Sequence, residues 1–147
     1  MRPFTIPATL LLVALAPAAQ AASAKSWAGP YDAEVIDIVD GDTFKARITV
    51  FDQVLIETSI RLLDIDAPEL HARCDDEKAR AVSARNALAE LLPRGAVIHL
   101  RDVHRDKFGG RYDAHAVDNA GRDISQVMLA AGAARPYDGG KRGSWCE

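Results

Sequence analysis

Two short stretches of this chain concentrate side chains capable of chemistry. The first joins Asp40-Gly41-Asp42-Thr43 to Arg61-Leu62-Leu63-Asp64-Ile65-Asp66-Ala67-Pro68-Glu69. The second is Arg105-Asp106-Lys107-Phe108-Gly109-Gly110-Arg111. Carboxylates set close together can hold a hard cation or handle a proton, and guanidinium groups can grip an oxyanion. Acidic groups at turns are also commonly mere turn formers, so the first stretch alone leaves both readings open.

The elements that must position these residues follow from periodicity. Glu34 to Val39 is a short β-prone run, and Asp40-Gly41-Asp42 is a turn signal. From Thr43 to Val50 the alternation is strict, with Phe44, Ala46, Ile48 and Val50 on one face. Val54 to Leu63 is a third strand, in which Val54, Ile56, Ile60 and Leu62 share a face and Arg61 points the opposite way. Pro68 ends that run, because proline cannot donate to a ladder. A helix is expected from about Asp76 to Leu92, with Ala81, Ala84, Leu88 and Leu91 on one stripe and Pro93 and Gly95 at its end. Ala96–Asp102 and Arg111–Asp118 read as strands. Asp123 caps a last helix, with Gln126 as capping-box partner and Gly132 as its stop. Residues 25–32 read as an exposed lead-in and the Gly- and Arg-rich tail as irregular. Three strands, a helix, two strands and a helix suit an α+β or mainly β domain, and pattern alone does not choose between them.

Composition bounds the function. The 147 residues suit one domain. Arg2, an apolar run over residues 6–19 and the sites Ala19-Gln20-Ala21 and Ala22-Ser23-Ala24 read as a signal peptide over residues 1–24. Residues 25–147 then form the mature domain, secreted or periplasmic, and no other stretch suits a membrane helix. In an oxidising compartment the two cysteines, Cys74 and Cys146, are expected to form an internal disulfide rather than free thiols or an interchain pair. A net charge of −3 argues against coating nucleic acid through bulk charge, but not against a local basic site. Basic residues cluster at Arg101, Arg105, Lys107 and Arg111 and again at Arg135, Lys141 and Arg142, where the bland reading is a solvated loop. His71, His99, His104 and His115 lack zinc-like spacing, and His99 and His115 are expected to point outward.

Taken together and in order, the motifs resemble the staphylococcal nuclease (thermonuclease) family. Its D-G-D-T matches Asp40 to Thr43, its R-x-x-x-(I/V)-D-(T/A)-P-E matches Arg61 to Glu69, and its D-(K/R)-(Y/F)-G-R matches Asp106 to Arg111 with one extra glycine. The likeness runs from about Val35 to Arg135. It implies a five-stranded OB-fold barrel with two packed helices. It also implies a calcium-dependent nuclease acting on DNA or RNA, single strands preferred, as a monomer. Asp42 and Asp66, with the Ala67 backbone carbonyl, would be the Ca2+ ligands, and Asp40 would stand behind them. Glu69 would activate or orient the attacking water, while Arg61 and Arg111 would grip the phosphate.

The chain departs from the family at several points. Gly110 displaces Arg111 by one position, and the loop is expected to bulge and still deliver it. Lys107 and Phe108 stand where the family has Lys-Tyr against a neighbouring phosphate, and Phe108 brings no hydroxyl. Tyr137 is the aromatic nearest a base pocket. The hairpin before Arg61 is longer and the family's final helix is missing, a gap the disulfide is expected to fill by pinning the tail. The competing reading is a non-catalytic OB-fold nucleic-acid-binding module. Such a module would not need two carboxylates, two arginines and a glutamate together, and would want more exposed aromatics than a 6% aromatic content supplies. A calcium-stabilised interaction domain would keep the aspartates but not both arginines.

Overall fold

The computed structural model of the protein describes residues 26–146, so the expected signal peptide lies outside the described residues. The elements, in chain order, are β1 (Ser26–Trp27), β2 (Tyr31–Ile38), β3 (Thr43–Phe51), β4 (Val54–Leu62), β5 (Ile65–Asp66), α1 (Asp75–Leu91), β6 (Val97–Arg105), β7 (Arg111–Val117), α2 (Ile124–Ala130) and β8 (Arg135–Pro136). Strands β2, β3 and β4 form an antiparallel meander. Strand β7 joins β4 in parallel and β6 antiparallel, and β6 returns to β2. The ring β6-β2-β3-β4-β7 is therefore a closed five-stranded mixed barrel. With two helices packed on it, the fold is an OB-like α+β barrel, as the sequence led us to expect.

Period-2 alternation fills the barrel. Phe44, Ala46 and Ile48 from β3, Ile60 and Leu62 from β4, and Ile98 and Leu100 from β6 are all buried. Helix α1 adds Ala81, Ala84 and Leu88, spaced three and four apart as one helical face requires. Helix α2 adds Ile124 and Met128. Asp123 caps it by accepting the Gln126 amide at 3.1 Å, and Gly132, at φ 66°, follows its end.

Three readings of the sequence need correction. The lead-in is structured: β1 pairs with Val103 and His104, and β2 begins at Tyr31 opposite Leu100. Both pairings are with β6, too far along the chain for a local pattern to reveal. Val54 and Ile56 do not join Ile60 and Leu62 in the core. With Leu55 they stay exposed, because the β3–β4 hairpin projects past the barrel. Its Ile56 lines an apolar pocket of about 290 Å³ with Trp27, Tyr31 and Tyr112. Finally, the tail is not wholly irregular, since Arg135 and Pro136 pair with Asp66 and Ile65.

Gly41 shows how closely the acidic turn is held. A methyl group there would lie 2.6 Å from Ala84 Cβ on α1 and 2.8 Å from Ala67 Cβ. The turn is thus wedged between the helix and the loop that follows β5. Gly41→Ala should destabilise the domain by about 1–3 kcal/mol through overpacking. Urea unfolding measures this, and an unchanged midpoint would show that the turn has slack.

Candidate functional site

The β3–β4 ladder builds the first half of the site. Thr43 pairs with Arg61, which places the Asp42 turn beside the outward face of β4. Asp42 is buried, yet each carboxylate oxygen has a partner. Oδ1 accepts the Thr43 hydroxyl at 2.9 Å, and Oδ2 accepts the Ala67 amide and Arg61 Nη2, each at 3.2 Å. Asp40 supports the turn by accepting the Asp42 amide at 3.1 Å. Burial pushes the Asp42 carboxyl up to about 6, with Arg61 opposing the rise and Asp40 adding to it. Arg61 also lies 5.4 Å from the centre of the Tyr137 ring, a cation–π contact.

The β6–β7 hairpin builds the second half. Gly109 and Gly110 both take the left-handed conformation, at φ 73° and 72°, so the extra glycine is absorbed in the bend. Arg111 then opens β7. The buried Asp106 accepts Arg111 Nε at 2.5 Å and the Phe108 amide at 2.6 Å. Burial alone would raise the Asp106 carboxyl, but the Phe108 amide and Arg111 together hold it below its usual range. Asp113 is raised, first by burial and then by the charge of Asp106. Phe108 is exposed with Lys107 Nζ 5.2 Å from its ring centre, an arrangement suited to stacking rather than to a hydroxyl contact.

The parallel β4–β7 seam joins the halves. Ser59 pairs with Arg111 and Arg61 with Asp113, so both arginines emerge on the same face of neighbouring strands. They open onto a cleft of about 530 Å³ that also receives Asp40, Asp42, Glu69, Lys107, Phe108 and Tyr137. The cleft thus gathers every sequence-derived site residue except the disulfide cysteines and Asp66 and Ala67, of which the last two are buried and reach the cleft through their partners.

Those partners are what sequence reasoning missed. Asp66 is fully buried, and its Oδ2 accepts Arg135 Nε at 3.0 Å, Arg135 Nη2 at 2.8 Å and the Trp145 indole at 3.1 Å. Arg142 lines the same cleft. Its Nη2 donates to the Ala67 carbonyl at 2.9 Å, its Nη1 bonds Glu69 Oε1, and its Nε lies 2.5 Å from Asp66 Oδ1. That last contact is an ion pair without hydrogen-bond geometry, so Oδ1 has a charged partner but accepts no hydrogen bond. Arg135 and Arg142 are therefore not a solvated basic loop. Neither carries a sequence signal that separates it from a solvated arginine. The Cys74–Cys146 disulfide is present and closes a separation of 72 residues. His99 and His115 are also more engaged than expected: His99 bonds Asp32 and Asn119, and His115 lies between Asp64 and Asp123.

The donors around Asp66 suit calcium in kind. Carboxylates and a main-chain carbonyl are hard oxygens, and Asp66 Oδ1, which accepts no hydrogen bond, sits among them. The Arg142 guanidinium lies against Asp66, the Ala67 carbonyl and Glu69, and not against Asp42. Among the described residues the one group of His, Cys, Asp or Glu ligand atoms within 4.8 Å of one another is Cys74, Glu77 and Cys146, whose sulfurs are bonded together. No family model matches the chain, and no curated protein does.

The raised Asp42 carboxyl makes a pH prediction. Folded, it keeps its proton up to about pH 6; unfolded, to about 3.8. The folded state binds the extra proton between those values, so the Asp42 contribution to stability falls as pH rises through this window and is flat above it. Asp42→Asn should remove that component. Urea midpoints measured from pH 4 to 7 for both proteins test this, and superimposable slopes would refute it.

Proposed function

We propose that this chain is an exported, calcium-dependent nuclease of the staphylococcal nuclease type, hydrolysing phosphodiester bonds of DNA or RNA with a preference for single strands. One observation carries the reading: Asp42, Arg61, Glu69 and Arg111, from four separate segments, meet in one cleft. The ordered motifs and the OB-like barrel support it, and the disulfide suits an oxidising compartment. Among the described residues no helix is long and apolar enough to cross a membrane.

In this reading Arg61 and Arg111 grip the phosphate from adjacent strands. Their planar forks match a phosphodiester gaining negative charge. Asp106 fixes Arg111 through Nε, and Asp42 fixes Arg61. Glu69 takes the proton of a water that attacks phosphorus in line; the P–O5′ bond breaks, the 5′ oxygen takes a proton from solvent, and Glu69 returns its own proton to solvent. The products are a 3′-phosphate and a free 5′-hydroxyl. Asp42, Asp66 and the Ala67 carbonyl would hold Ca2+, which when bound supplies electrostatic stabilisation of the phosphate. Lys107 and Phe108 would meet a neighbouring nucleotide and Tyr137 a base. The pairing of Glu69 with Arg142 favours one other reading, an OB-fold module that binds strands without cutting them.

Digestion of labelled single-stranded DNA and RNA separates the two. Cleavage should need calcium, stop with chelator, and leave 5′ ends that a kinase labels without prior phosphatase. Glu69→Gln should keep the fold and lose about 10²–10⁴ in rate. Arg61→Ala and Arg111→Ala should lose at least as much. Full activity in excess chelator would sink the metal assignment, and tight strand binding with no cleavage under any condition would establish the module.

A further inference from the structure

The tail places a positive charge where the proposed function needs a different one. Arg142 reaches Asp66 Oδ1, the Ala67 carbonyl and Glu69 with its three guanidinium nitrogens. Two of these groups are expected calcium ligands, and the third is the expected base. The contact is built rather than incidental. Arg135 holds the segment just after it, donating to the Gly143 carbonyl at 2.6 Å and the Ser144 carbonyl at 3.0 Å. The Arg135 guanidinium lies 4.2 Å from the Trp145 ring centre. The Tyr137 hydroxyl donates to the Gly140 carbonyl at 2.7 Å. Cys146 then ties the end to Cys74, the residue that precedes α1.

We propose that Arg142 is a built-in cation that occupies the Asp66–Ala67–Glu69 cradle, and that a divalent ion binds there only when the tail segment carrying Arg142 lifts away. The proposal rests on the calcium-nuclease reading for the identity of the competitor. Physically it is a competition between a tethered and a free cation for the same oxygens. Tethering keeps the guanidinium at an effective concentration far above that of a free arginine, so a modest contact persists. Apparent calcium affinity is then scaled by the fraction of molecules in which the cradle is open. The same displacement would release the Glu69 carboxylate, so cation entry and freeing of the base are one event. Arg135 and Trp145 contact the other oxygen, Asp66 Oδ2, and stay in place when Arg142 leaves.

Isothermal titration of calcium, without nucleic acid, tests this on the full mature chain. If the cradle is open in about a tenth of molecules, Arg142→Ala should bind calcium about tenfold more tightly than wild type. Arg142→Lys, which restores a tethered cation, should return affinity toward wild type. Cys74→Ser with Cys146→Ser should tighten binding by less than Arg142→Ala, because Arg135 still holds the tail. Circular dichroism checks that each variant is folded. Arg142→Ala binding calcium no more tightly than wild type overturns the proposal, whether or not the protein cleaves. Arg142→Ala and Arg142→Lys binding equally tightly also overturns it. Tighter binding by Arg142→Ala with no cleavage of any strand sustains the competition and sinks the nuclease reading instead.

Discussion

The buried charge of Asp66 governs the architecture of the site. Its carboxylate is fully buried, and an ionised carboxylate without partners costs several kcal/mol in a protein interior. Two guanidinium groups and an indole offset that cost, and all of them come from residues 69 to 79 positions further along the chain. The tail cannot leave as a whole without stranding this charge. Asp66 thus explains why a segment of glycines and arginines takes a defined path. Strand β8 pairs with β5 beside it, and Arg135 also holds the Gly143 carbonyl through Nη2 and the Ser144 carbonyl through Nη1.

The barrel contributes direction. A parallel pair of strands in register sends alternate side chains to the same side, so the β4–β7 seam aligns Arg61 and Arg111 without any loop having to position both. Each is restrained by a carboxylate from the turn next to it, Asp42 or Asp106. The cleft is lined by five acidic and five basic side chains, so in the proposed function a phosphate would be gripped through where the guanidinium groups point and not through net charge. A chain of net charge −3 can therefore present a local anion site.

The half of the site that lies on regular strands was legible in the sequence. Strict alternation from Thr43 to Val50 fixed which face of β3 is inward, and Arg61 followed as outward because Ile60 and Leu62 are its inward neighbours. The Asp40–Asp42 turn and the bend at Gly109-Gly110 carry their own chemistry. The pairing of Cys74 with Cys146 followed from compartment and number. What stayed hidden depends on contacts between distant residues. β1 and β8 are two residues long and exist only through their partners. Arg135 and Arg142 have no periodic signature, and a basic residue among glycines looks the same whether solvated or paired with a buried acid. The β3–β4 hairpin misled for a related reason: alternation identifies a face, but only the closure of the barrel decides where that face stops being core.

The loop carrying Glu69 is held from two sides, and the two restraints meet at one residue. The Glu69 amide donates to Glu77 Oε1 at 3.3 Å, while its carboxylate pairs with Arg142. Glu77 lies in the first turn of α1, where the helix dipole favours an acid, and its Oε2 is 3.6 Å from Cys146 Sγ. Helix start, disulfide, tail and loop therefore form one closed circuit around Glu69. The chain-entropy model gives a closure of this length about 4 kcal/mol, enough to offset the ordering of several tail residues at about 1–2 kcal/mol each. A covalent link and a buried charge thus hold the tail segment, and both act beside Glu69.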